Sequence, residues 1–370
     1  MKMRAQNPQR GFTLLELMVS MALGLIVMAA MASLFKTGLN SAMLVTQRAE
    51  AQQNMRAAVD LMVRDLSLAG AGLPSGGIQL PTGIGNNGLS KLACDQGGTC
   101  HVVNHTYPAN GASTNYLYGI IPGYLNGVEG GAAIPAAPAP AVNDSITVVY
   151  CDYNFPLFQY NGQFTNVNGS AMTLTPIAGN TPPAVNGAGG IQAGDLVMVS
   201  GGSATAVGEV TNVTWNSGTS TGTFAFANGD PLNINQSGAQ SGNLAFIANA
   251  VGVGTNVSVI RLYVITYYLT VPGVGQTPRL MRQVNGLTPV PVADDIINLQ
   301  FAYDTYNSNN NALDANQADP IGSGESPNNI QKVNLIVMGQ SITNWGNKSQ
   351  NLYLATDVSA RNMEFRDRYQ

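Results

Sequence analysis

The sequence predicts an α+β chain: one long N-terminal α-helix, membrane-spanning in its first half, packed through its second half on an antiparallel β-sheet head with long loop insertions. Three observations carry that prediction. An apolar run from Phe12 to Phe35 contains a single ionisable group, Glu16, and follows the basic leader MKMRAQNPQRG. Helical spacing then continues, with Ala51, Met55, Val59, Met62 and Leu66 on one face at intervals of three and four. Beyond residue 144, β-rich runs alternate with clusters of Gly, Asn and Pro. With 45% apolar residues, the 370-residue chain can bury a core, and with only 10% charged residues and 42 glycines its surface should be polar but largely uncharged.

The elements follow in chain order. As a helix rising about 1.5 Å per residue, Phe12 to Phe35 reaches roughly 36 Å, enough to cross a bilayer core. Lys2, Arg4 and Arg10 precede it without acidic company, so the leader stays cytoplasmic and the rest faces outward. Residues 36–70 continue as an amphipathic helix whose Arg56, Asp60 and Arg64 form a solvated stripe at i,i+4 spacing. Gly70, Gly72 and Pro74 stop it, giving a predicted helix from Phe12 to Ala69. Residues 71–370 form the head. Within it, residues 76–142 read as a low-complexity insertion with little regular structure, ending in the IPAAPAPAV of Ile134–Val142. Strands are expected at Ser145–Tyr150, Asp195–Ser200, Ala206–Thr214, Thr223–Ala227, Val257–Thr270, Leu280–Val284, Ile297–Tyr303 and Val333–Met338. A separate domain over roughly 145–255 stays open. No Lys or Arg lies between Leu92 and Ile260 and the net charge is −4, which excludes nucleic-acid binding by the middle of the chain.

Three readings compete for the N-terminal segment. A secretory signal peptide would be cut at Ala30-Met31-Ala32, before Ser33, and a plain signal anchor would not be cut. Neither explains a carboxylate within the apolar run, which costs roughly 2.5–3.5 kcal/mol when central and less near an end. The third rests on Gly11-Phe12-Thr13-Leu14-Leu15-Glu16-Leu17 after a short basic leader, which closely resembles the signal of type IV prepilins and type II secretion pseudopilins. The resemblance implies a pilin-like fold, cleavage by a prepilin peptidase between Gly11 and Phe12, N-methylation of Phe12, and Glu16 as the filament-assembly carboxylate. In the new first helical turn that carboxylate favours the positive end of the helix dipole. A neighbouring subunit's terminal amine would neutralise it in the apolar filament core, setting axial register.

Leu280-Met281-Arg282, the stretch Val292–Asp304 and Val333–Met338 resemble strands in the heads of PilW-type minor pilins and, more distantly, J-type pseudopilins. That likeness implies a minor pilin that primes or caps a type IV pilus, in the inner membrane with a periplasmic head and afterwards in the pilus. Its partners would be the prepilin peptidase, other minor pilins, the major pilin and a tip adhesin. Alternatives are a J-type pseudopilin of type II secretion and an adhesin displayed at a filament tip.

Chemistry elsewhere is sparse, and no enzyme, cofactor or metal is expected. In an oxidising periplasm Cys94 and Cys100 would close a small disulfide loop, although pairing of Cys151 with either stays open. His101 and His105 extend the pattern to C-x5-C-H-x3-H, which is not a standard zinc spacing. The Asn- and Asp-rich Asp304–Asp319 lacks the offsets of a calcium hand and reads as a solvated turn. Gly83–Gly88 matches G-x-G-x-x-G without the flanking strand and helix, and Gly218–Gly222 matches G-x-S-x-G around Ser220 without a strand-to-helix elbow.

Overall fold

The structure, a computed structural model, describes residues 11–81, 116–134, 143–273, 276–307, 311–320, 326–341 and 350–363. The predicted helix is observed as α1, Leu14–Leu68. It contains no proline, and its internal Gly24 and Gly38 have open space where a Cβ would sit, so no close contact requires glycine at either position. Gly70, at φ 78°, takes the left-handed conformation that ends it. The chain divides into two compact units, Met1–Glu50 with Ser341–Gln350 and Ala51–Gln340 with Asn351–Gln370.

In the first unit, the most apolar window of α1 has no residue buried among the described residues. In the second, the predicted apolar stripe is the packed face. Ala51, Met55, Val59, Met62 and Leu66 are all buried, whereas Arg56, Asp60 and Arg64 are exposed. Residues 36–50 are mostly exposed, so packing begins at Ala51 rather than at the end of the apolar run.

The head is built on two sheets. The larger has eleven strands: β3 (Ile120–Gly123), β4 (Ser145–Asp152), β5 (Tyr160–Phe164), β6 (Ala171–Pro176), β7 (Leu196–Gly201), β8 (Ala204–Glu209), β9 (Asn212–Asn216), β10 (Thr221–Ala225), β11 (Asn256–Thr270), β12 (Arg279–Val284) and β13 (Val290–Asp294). The smaller has the order β15-β14-β16-β17, from β14 (Ile296–Asn307), β15 (Ala312–Gln317), β16 (Ile330–Ser341) and β17 (Gln350–Ser359). A two-residue pair, β1 (Ile78–Gln79) with β2 (Tyr116–Leu117), one short helix, α2 (Leu244–Val251), and three single-turn 3-10 helices are also described.

The 15-residue β11 organises the larger sheet. It pairs β7 through Ser258–Leu262, β4 through Arg261–Tyr267 and β12 through Ile265–Thr270, all antiparallel. Because the β4 span overlaps both others, β4 holds one edge and β7 then β12 the other. One core cluster packs α1 against β4, β11, β14 and β16, with Met62, Tyr267, Leu299 and Val337 at its centre. Each such side chain contributes about 1.5–3 kcal/mol by leaving water.

Several sequence expectations are corrected here. The 76–142 segment includes β1, β2 and β3, whose Ile78, Leu117, Ile120 and Ile121 are buried. Strands of two to four residues among glycines are too short to show alternation. The run Ala206–Thr214 is two strands, β8 and β9, because the Val210 N–H turns to the Asp195 carbonyl while the Thr211 N–H goes to that of Ala225. The region 145–255 is not a separate compact unit, since β4 and β7 pair directly with β11.

Candidate functional site

The residues carrying the prepilin resemblance form a helix cap. Thr13 precedes α1, and Glu16 is its third residue. The Glu16 N–H donates to Thr13 Oγ1 at 3.3 Å, while the Thr13 N–H and hydroxyl both donate to Glu16 Oε2 at 3.0 Å. The Leu17 N–H reaches the Thr13 carbonyl at 3.2 Å and starts the helical ladder. This reciprocal arrangement is a capping box, which satisfies donors that a helix start otherwise leaves open. Thr13-Leu14-Leu15-Glu16 carries its sequence signature, T-x-x-E. Glu16 therefore has a local role that the sequence reading missed: it fastens the start of its own helix.

That geometry also separates cleavage from capping. Gly11 and Phe12 lie outside α1 and are exposed, and a Cβ on Gly11 would touch nothing within 4 Å. Cutting the Gly11–Phe12 bond removes no atom of the cap. By contrast, the signal-peptidase alternative, Ala30-Met31-Ala32 before Ser33, lies in uninterrupted helix.

Residues 6–32 match the family model of the prokaryotic N-terminal methylation motif. No curated protein and no solved structure matches the chain. The chain thus carries a pilin-like N-methylation signal at the head of a helix long and apolar enough to cross a membrane.

The structure places the other candidates as follows. Cys94, Cys100, His101, His105 and Gly83–Gly88 lie outside the described residues. Cys151 is buried near the end of β4, with its N–H on the Ala71 carbonyl at 2.8 Å. Ser220 occupies the turn of the β9–β10 hairpin at φ 50°, where Thr221 pairs with Asn216. In Asp304–Asp319, β14 and β15 form a hairpin rather than one open turn. Its Asp304 carboxylate accepts from the Asn316 N–H at 2.8 Å and from Lys332 at 3.0 Å. Burial raises the acid's pKa, but those partners together with Asn334 prevail and hold it below the usual carboxylate value. Among the described residues no group of three or more His, Cys, Asp or Glu is arranged to hold a metal.

One buried charge escaped the sequence reading. Asp65 sits on the packed face of α1, where its Oδ2 accepts from Tyr267 Oη at 2.6 Å and Arg282 Nε at 2.9 Å, and Tyr150 Oη lies 3.4 Å from its Oδ1. Burial first, then the Asp65 charge, push both tyrosine hydroxyls well above their ordinary pKa. The signal was available: Ala58, Met62, Asp65 and Ala69 follow at four, three and four, so the acid interrupts a core stripe.

Proposed function

We propose that the chain is a minor pilin with a structural, non-enzymatic role. It waits in the inner membrane as a prepilin with its head in the periplasm. The prepilin peptidase cuts Gly11–Phe12, Phe12 is N-methylated, and the subunit joins other minor pilins and the major pilin in a short complex that primes or caps a type IV pilus, where it can support a tip adhesin. One observation carries this reading above the others. The methylation motif heads a 55-residue helix whose apolar window covers none of itself. Such a surface needs lipid before assembly and neighbouring helices after it.

The chemistry of the new terminus completes the argument. Cleavage creates a positive amine at Phe12, and the box keeps Glu16 in the first turn of its own helix. In an apolar filament core, an ionised carboxylate without a cation is costly. The Phe12 amine of the adjoining subunit supplies one and fixes the axial step between copies. The strands β12, β13, β14 and β16, which carry the segments resembling PilW-type heads, support the finer assignment.

Deleting the gene and restoring it tests the proposal. Loss of surface pili with exoprotein secretion intact, recovered by the wild-type gene, is the expected result. Intact pili with lost secretion would instead make it a pseudopilin.

A further inference from the structure

The exposed side of α1 at Arg64, the end of β4, the loop at residues 186–192, β11 and β12 enclose an open cleft of about 720 Å³, a size typical of ligand sites. Some of its polar groups are already engaged. Arg261 Nε donates to Asp152 at 2.8 Å, and its Nη1 donates to the carbonyls of Gly189 and Gly190 at 3.0 and 3.2 Å, which holds the loop in place. Asp195 accepts from the Gln192 N–H at 3.0 Å and the Asn285 amide at 3.1 Å.

Other groups are not engaged. Arg282 uses Nε on Asp65 and Tyr267, whereas its Nη1 and Nη2 meet no acceptor among the described residues, although the side chain is only 21% exposed. Arg64 makes no ion pair among the described residues. The side-chain amides of Asn154, Asn186 and Gln192 also line the cleft without a hydrogen bond among those residues. A guanidinium with both terminal nitrogens available matches a carboxylate in two-point contact. Side-chain amides, each both donor and acceptor, match hydroxyls.

The backbone disfavours an extended peptide as the ligand. β4, β11 and β12 are each hydrogen-bonded to strands on both edges, so the cleft presents no open ladder for strand addition. We infer that this cleft binds an acidic saccharide, with the carboxylate on Arg282 and Arg64 and the hydroxyls on Asn154, Asn186 and Gln192. The site lies between the packed end of α1 and the head, within the second unit, and does not depend on the filament reading.

Isothermal titration of the full detergent-solubilised chain tests it, with sodium glucuronate as probe and glucose, inorganic phosphate and tetraglutamate as comparisons. Glucuronate should bind saturably and at least about tenfold tighter than the other three. Arg64→Ala, on the exposed helix face, should weaken it about tenfold with the melting temperature unchanged, and Arg282→Lys, which keeps a cation beside Asp65 but loses the Nε bond shared with Tyr267, should weaken it as much while the chain stays folded. No heat up to about 10 mM glucuronate, equal affinity for glucose, tighter phosphate or peptide binding, or full affinity in both variants would overturn the assignment.

Discussion

Single residues decide the processing, the cap and one pH response. At Gly11, an added Cβ meets nothing among the described residues, so the effect of a bulky replacement is expected to fall on the peptidase; uncleaved full-length protein should accumulate, as read on a gel. Glu16→Ala removes both hydrogen bonds that its carboxylate accepts from Thr13 and leaves the backbone half of the box. Cleavage should persist while piliation drops by about tenfold or more, and a Glu16→Gln chain, which restores capping but not charge, should remain defective. Normal piliation with Gln would reduce Glu16 to a helix cap. In the head, burial first and then the neighbouring Asp230 carboxylate push Glu209 up to about 8 from the ordinary 4.5. The folded state therefore keeps a proton that the unfolded state has lost between those values. Stability from this group is full below about 4.5, declines as pH rises towards 8, and is flat above, a swing on the order of 5 kcal/mol. Urea midpoints at pH 5 and pH 8 should differ more in the wild type than in Glu209→Gln.

At the scale of elements, α1 docks through apolar side chains and one buried charge. Removing the Asp65 carboxylate strands Arg282 and two tyrosine hydroxyls, so Asp65→Ala should cost about 3 kcal/mol in denaturant titration. Met62→Ala, at a fully buried position in the same face, should cost about 2–5 kcal/mol by leaving a cavity. The helix end meets β3 through backbone: a Cβ on Gly119 would lie 2.6 Å from the Cα and N of Gly70. Neither atom can swing aside, so Gly119→Ala should destabilise by about 1–3 kcal/mol. These elements differed in how plainly the sequence announced them. The packed face of α1 was legible because five apolar residues repeat at helical spacing, and β11 because a long run such as Leu262–Leu269 is almost wholly apolar. β5, reading Tyr-Asn-Gly-Gln-Phe, was not, since a glycine holds the middle one of its three buried positions and breaks the apolar alternation. β15 and β17 sit at sheet edges with mostly exposed side chains, so burial left little imprint on their composition. At the N-terminus the motif was legible as a cleavage signal, but the hydrogen bonds that make Thr13 and Glu16 one unit were read only from the structure.

For the whole molecule, the proposed function has one helix serve two environments in succession. Its last turns belong to the core of a β head, while its first turns show lipid-like side chains that none of the described residues covers. The capping box lets the helix begin immediately after the proposed cleavage point, so that the new N-terminus, its charge and the carboxylate would arrive together at one end of the apolar segment. The account stands on that end being made by cleavage at Gly11–Phe12. Intact mass and N-terminal fragment spectra of the protein recovered from membranes measure it directly. A chain starting at N-methylated Phe12 is the predicted result; a chain starting at Ser33, or still at Met1, would contradict it.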